Sequence, residues 1–250
     1  MNITNFRDLG GMRTIHGRRV RQHRFIRSGQ LVGLDEATRR DLVDRYRVTQ
    51  VVDFRRPFEI QESPDDPIEG ITFTNIDLLG MIGARNTSLD DFASIGSVDR
   101  VNDHMLGTYH DMVLNPGAQK GFGRFLRIVV GNTQGATLFH CFAGKDRTGF
   151  AAALVLWLLE VDDDQIFADY LKTNQERVEA NNQLLDQFRA KGFDQDSLDA
   201  LAVALYVKKE YLIYARQLMI DAYGDVFAYA RQALGFGPDQ VAALRDNLLE

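Results

Sequence analysis

The spacing of apolar positions changes character along this chain, and each change predicts a type of element. Short β-branched or aliphatic runs at residues 20–26, 48–54, 71–78 and 136–139 predict strands. Between them, apolar residues recur at helical spacing. Leu42, Val43 and Tyr46 mark a helix over 35–46, and Leu106, Tyr109, Met112 and Val113 mark one over 103–114. Phe122, Phe125, Leu126, Val129 and Val130 mark a third, and an unbroken apolar helix follows over 150–160. This alternation predicts an α/β fold with a central, mostly parallel sheet flanked by helices. Beyond Val161 only helical periods remain, at 166–171, 184–188, 197–206, 211–222, 226–234 and 238–249. Asp162, Asp163 and Asp164 supply a cap for the first of these, and Pro238 suits the first turn of the last. The aromatic and methionine positions of this region (Tyr206, Tyr211, Tyr214, Met219 and Tyr223) read as core. Residues 80–99 mix glycine, serine and charge without a period, which predicts an irregular loop beside the cleft.

Composition narrows the classes. The 250 residues carry no Pro/Gly/Ser-rich linker, which favours one compact domain over residues 1–250. A formal net charge of -6 argues against a nucleic-acid partner. The single cysteine excludes an intramolecular disulfide framework. No apolar run approaches the roughly 20 residues of a membrane span, and no charged-then-apolar leader opens the chain, so the expected compartment is the cytoplasm, with leaderless export left open. A monomer is expected. No compact group of ligating residues suggests a metal, and no cofactor is implied.

The chemistry concentrates at positions 140–149, which read HCFAGKDRTG. A strand leads in and a helix leads out, so the backbone N–H groups of Phe142, Ala143 and Gly144 and the positive helix end would converge on one anion. A thiol placed there ionises below its free value of about 8.5. Arg147 is spaced to grip two oxygens of a tetrahedral anion. Gly144 permits the twist a closed loop needs. Thr148 places a hydroxyl beside the sulfur. The alternative, in which Cys141 is only a small buried apolar residue, leaves the run Lys145, Asp146 and Arg147 unexplained.

The HCxAGKDRTG segment resembles the signature loop of a bacterial and fungal tyrosine-phosphatase family that includes secreted, lipid-acting members from pathogens. Asn5-Phe6-Arg7-Asp8-Leu9-Gly10-Gly11 matches the family's NxRDLGG motif, and Val51-Val52-Asp53-Phe54-Arg55 with Glu59 is similar to its DLRxxxE motif. The three motifs stand in family order. The resemblance implies a phosphate-monoester hydrolase acting through a phosphocysteine, with phosphotyrosine proteins as substrates and phosphoserine, phosphothreonine and phosphoinositides as further ones. It also implies a helical lid, here residues 163–235; plain packing layers are the alternative.

In that scheme Cys141 is the nucleophile, while Phe142, Ala143, Gly144, Lys145, Arg147 and Thr148 hold the phosphate. Asp146 is the acid that the resemblance favours. Its rivals are Asp53 as acid, or a structural Asp146 paired with Arg7 or Arg55. Lys145 is expected to bear on substrates with more than one phosphate, or else to lie in solvent. His140 is expected to fix the loop, Arg55 and Glu59 to form an internal ion pair, and Arg7 and Asp8 to latch the first segment near the cleft. A phosphate-binding module without turnover and a sulfur-transfer enzyme stay open as other classes.

Overall fold

The computed structural model describes residues 1–80 and 89–250. Its strands are β1 (Arg7–Asp8), β2 (Phe25–Ser28), β3 (Val48–Asp53), β4 (Thr72–Asn75) and β5 (Ala136–His140). They form one sheet in the order β1-β2-β5-β3-β4, parallel throughout except for the β1–β2 pair. Strand alternation divides the core. Phe25, Val52 and Phe139 face one layer, while Ile26, Val51 and Leu138 face the other. On the first side Phe25 and Phe139 stack with ring centroids 4.5 Å apart, and Phe54 and Phe125 close the group. The second side is smaller and is completed by Leu31, Leu42 and Val48.

The helices are α1 (Glu36–Arg40), α2 (Pro57–Glu62), α3 (Leu89–Ile95), α4 (Val98–Leu114), α5 (Pro116–Gly131), α6 (Asp146–Leu158), α7 (Asp163–Glu176), α8 (Val178–Ala190), α9 (Gln195–Leu205), α10 (Lys209–Tyr223), α11 (Val226–Gln232) and α12 (Pro238–Leu248). Every residue of α6 from Thr148 to Leu158 is buried, which explains its lack of a polar face. α9 and α10 pack on α4, α9 also packs on α3, and α7 lies against α6. Gly149 permits that last approach, since a Cβ there would stand 3.0 Å from the Tyr170 ring.

Several predicted bounds move. The strand expected over 20–26 begins only at Phe25, because His23 adopts φ 55° and interrupts it; Val20 instead bridges to Leu249. The helix expected over 35–46 is capped by Asp35 but widens after Arg40, with Tyr46 N–H reaching Asp41 O at 2.9 Å. That change of pitch leaves Val43 exposed while Leu42 stays buried. The strand expected over 71–78 is only Thr72–Asn75. Of the segment read as an irregular loop, residues 81–88 lie outside the described residues. Most of the remainder is helical: α3 covers Leu89–Ile95, and α4 begins at Val98, its N–H at Arg100 capped by Ser97.

Candidate active site

Cys141 follows the carboxyl end of β5, the middle strand, and the signature loop turns from there into α6. In an open parallel sheet that is where ligands bind. The loop is held by its carbonyls. Gln30 N–H donates to Phe142 O (3.1 Å), Asn5 Nδ2 donates to Ala143 O (3.2 Å) and Gly144 O (2.8 Å), and Arg27 Nη2 donates to Gly144 O (2.8 Å). Arg177 Nη1 reaches Ala143 O from beyond α7 (3.3 Å). With the carbonyls drawn outward, the N–H groups of residues 142–147 meet no acceptor among the described residues. A run of free amides at a helix start is an anion nest. Gly144 is essential to the seat. Its φ is +65°, and a Cβ would lie 2.1 Å from Ser28 O.

Cys141 is only 3 % exposed. Burial by itself would push its pKa up. The Arg147 charge and the hydroxyl and N–H of Thr148 outweigh that and hold the thiol below its ordinary range. The Thr148 hydroxyl and N–H are near enough to the sulfur to steady its charge, although Thr148 Oγ1 is buried and forms no aligned hydrogen bond among the described residues. Arg147 is aimed by Glu59. Its Nη1 and Nη2 donate to Glu59 Oε2 (2.7 Å) and Oε1 (2.8 Å), and Nη1 also meets Phe54 O. Glu59 lies in the first turn of α2 and its Oε2 also accepts from Arg56 N–H (2.9 Å). Burial would push the Glu59 carboxyl up, but Arg147 holds it below the usual range.

Arg55 is not Glu59's partner, contrary to the sequence expectation. It is fully buried and pairs with Asp53 and with Asp65, at 3.0 Å and 2.9 Å from Nη2. Asp53 Oδ1 accepts from both the N–H and Nε of Arg55, so its carboxylate is saturated. Asp65 was invisible in the sequence. It lies 3.0 Å from His140 Nε2, close enough for an ion pair though not aligned for a hydrogen bond. His140 Nδ1 meets Cys141 O at 3.1 Å. Burial would push the His140 pKa down; Asp65 and Asp53 outweigh it and raise it. Asp53, Asp65 and His140 bring ligating atoms within 4.8 Å of one another, but the Arg55 guanidinium already supplies the positive charge among them.

A second buried network lies under the loop. Arg7 Nε and Arg27 Nη1 donate to the two oxygens of Asp169, at 2.5 Å and 2.6 Å, and Arg7 Nη2 also meets Thr173 Oγ1 (3.1 Å). Asn5 Oδ1 accepts from Arg7, so one side chain joins the loop carbonyls to this triad. Burial and the neighbouring Arg7 lower the Arg27 pKa to about 10. Asp8 turns away to accept from the N–H groups of Gly10 (2.9 Å) and His23 (2.7 Å).

Asp146 meets neither Arg7 nor Arg55. Its Oδ1 accepts from Tyr109 OH (2.9 Å), whose oxygen lies 2.6 Å from Tyr170 OH, and its Oδ2 lies 2.8 Å from Lys145 Nζ. Burial raises both tyrosine pKa values well above normal, so their hydroxyls stay protonated and able to donate. Lys145 is neither solvated nor aimed at the nest. It is buried, and its Nζ donates to Ala204 O near the end of α9 (2.6 Å). Phe142, in contrast, is 38 % exposed.

A thiol kept acidic among unsatisfied amides, at the carboxyl edge of a parallel sheet and facing a steered guanidinium, belongs to the cysteine-dependent phosphatase class. The chain belongs to the tyrosine phosphatase family, whose sequence pattern matches residues 1–250. It is 34% identical over 248 residues to a protein of Cupriavidus necator named "Putative tyrosine-protein phosphatase", covering 99% of this chain and 86% of that one. It is 30% identical over 277 residues to the triple specificity protein phosphatase PtpB of Mycobacterium tuberculosis, covering 98% of this chain and 96% of that one. Among solved structures, the core catalytic domain of the PP-IP phosphatase SIW14 of S. cerevisiae is 16% identical with a TM-score of 0.37, covering 87% of this chain and 94% of that one. Among the described residues, no helix is long and apolar enough to cross a membrane.

Proposed function

We propose that this enzyme hydrolyses phosphate monoesters of phosphotyrosine proteins through a phosphocysteine, and that phosphoserine, phosphothreonine and phosphoinositides fall within its range. The observation that carries this reading is the Cys141 thiol lowered by Arg147 and Thr148 within a nest of free N–H groups. The thiolate attacks phosphorus in line and the S–P bond forms as the ester P–O bond breaks. The amides of Phe142, Ala143 and Gly144 and the Arg147 guanidinium stabilise the equatorial oxygens as charge builds. Asp146 gives its proton to the leaving oxygen, then as carboxylate takes one from the water that cleaves S–P. The Thr148 hydroxyl supports the departing thiolate. Both carboxylates have their oxygens engaged, but Asp53 is the poorer acid, because a fully buried guanidinium grips it and only 8 % of its side chain is exposed, against 20 % for Asp146. Residues 163–235 act as a lid in this reading, tied to the loop by Lys145 on Ala204 O and by Arg177 on Ala143 O.

The test is turnover of p-nitrophenyl phosphate, phosphopeptides and phosphoinositides side by side. Cys141→Ser is expected to abolish all three and vanadate to inhibit all three, with a chelator having no effect. Activity that survives Cys141→Ser would overturn the reading. Loss of the acid limb of the pH–rate profile in Asp53→Asn but not Asp146→Asn would overturn the choice of acid.

A further inference from the structure

Arg177 belongs to none of the three motifs. It stands between α7 and α8, is 95 % buried (5 % exposed), and has no carboxylate within ion-pair distance among the described residues. The other arginines packed around the loop all have one: buried Arg7 and Arg27 share Asp169, buried Arg55 has Asp53 and Asp65, and partly buried Arg147 has Glu59. Taking an unpaired cation out of water is expensive. Nη1 rests on Ala143 O, Nε has no partner, and no bond from Nη2 is formed among the described residues. The cost shows in a pKa lowered by burial, against which the Cys141 and Asp146 charges act.

Arg177 lines a groove of about 220 Å³ that runs from the signature loop along α8, bounded by the exposed ring of Phe142 and by the amide side chains of Gln30, Gln183 and Gln187. This lining is a guanidinium awaiting an anion, an aromatic face, and amide groups. Among the described residues, Gln30 keeps its Nε2 donor free while its Oε1 accepts from Arg55 (3.1 Å), and Gln183 keeps its oxygen free while its Nε2 donates to Glu179 (3.4 Å). We infer that the groove is a second anion subsite, in which Arg177 receives an acidic side chain flanking the phosphorylated residue of a peptide. The inference rests on the phosphatase reading above. Amides along both walls suit an extended peptide backbone. A phosphoinositide membrane is instead read by clusters of several Lys and Arg residues, whereas Arg177 is the one cation lining this groove among the described residues and the chain carries a net charge of -6.

The experiment walks a single Glu along a phosphotyrosine peptide, each position matched by a Gln counterpart, and reads kcat/KM for wild type, Arg177→Met and Gln183→Glu. The wild type is expected to prefer one Glu position by about tenfold, the size of a charge-assisted hydrogen bond. Arg177→Met also loses the contact to Ala143 O and lowers every rate, so the Glu/Gln ratio is the readout, and it is expected to fall to about 1. Gln183→Glu leaves the loop contact in place and is expected to suppress or reverse the preference by repulsion. Equal cleavage of Glu and Gln peptides by the wild type overturns the subsite, as does a preference that survives in Arg177→Met. Discrimination by Arg177 confined to phosphoinositides, in vesicles or as soluble headgroups, overturns the peptide assignment. If the wild type cleaves no phosphopeptide at all, it is the phosphatase reading that fails.

Discussion

Glu59 carries out no chemical step, yet its two oxygens fix the plane in which Arg147 presents itself to the nest. Glu59→Gln keeps the volume and removes the charge and one acceptor, leaving the guanidinium free to swing. We expect kcat/KM on p-nitrophenyl phosphate to fall by about 10- to 100-fold, the scale of a misplacement of about 1 Å; an unchanged value would show that Arg147 is positioned by other means. Thr148 acts on the sulfur itself. Thr148→Val removes the hydroxyl and should raise the Cys141 pKa by about 1–2 units, the worth of a hydrogen bond to a charged group. The pH dependence of iodoacetamide alkylation measures this directly. At this scale much was legible in the sequence, because Cys141, Gly144, Arg147 and Thr148 act over a few residues of chain and spacing encodes such relations. The partners of Lys145 and Asp146 were not, since a charge run says nothing about which distant carbonyl or hydroxyl it will meet.

The elements around the loop show how far such partners travel. Asp169 sits on α7 and binds Arg27 of β2 across 142 positions of sequence. No local pattern announces that pair, nor Asp65 beneath His140, and Tyr109 looked like an ordinary core residue of α4. Asp169→Asn would leave Arg7 and Arg27 buried with no acid between them. It should destabilise the protein by about 3–5 kcal/mol in urea unfolding. Burial would raise the Asp169 carboxyl, but Arg27 and Arg7 outweigh it and lower it. The stability it contributes is therefore present above the unfolded value of about 3.9 and lost as pH falls through the lower folded one. The predicted strands failed mainly at their ends, where a single positive φ at His23 or the wide turn after Arg40 overrides a sound apolar pattern.

For the whole molecule, one charge network ties the sheet to α7, and the other joins the carboxyl ends of β3 and β5 to the loop that carries Asp65. The His140 pKa is raised in the folded state, so its contribution to stability is complete below about pH 6.5 and fades as pH rises through the folded value. Urea unfolding of wild type and His140→Asn between pH 5 and 9 should show the two curves converging at the alkaline end. A gap that widened with pH would contradict the sign.

The seat of Gly144 on Ser28, too tight for one more methyl group, has a consequence for how this enzyme can change. A cradle wedged against the central strands has no room to reshape itself around a new guest. Variation in what is accepted must then arise from the surfaces that overlook it, and the exposed turn of α8 beside Arg177 is where a laboratory selection for altered preference should begin.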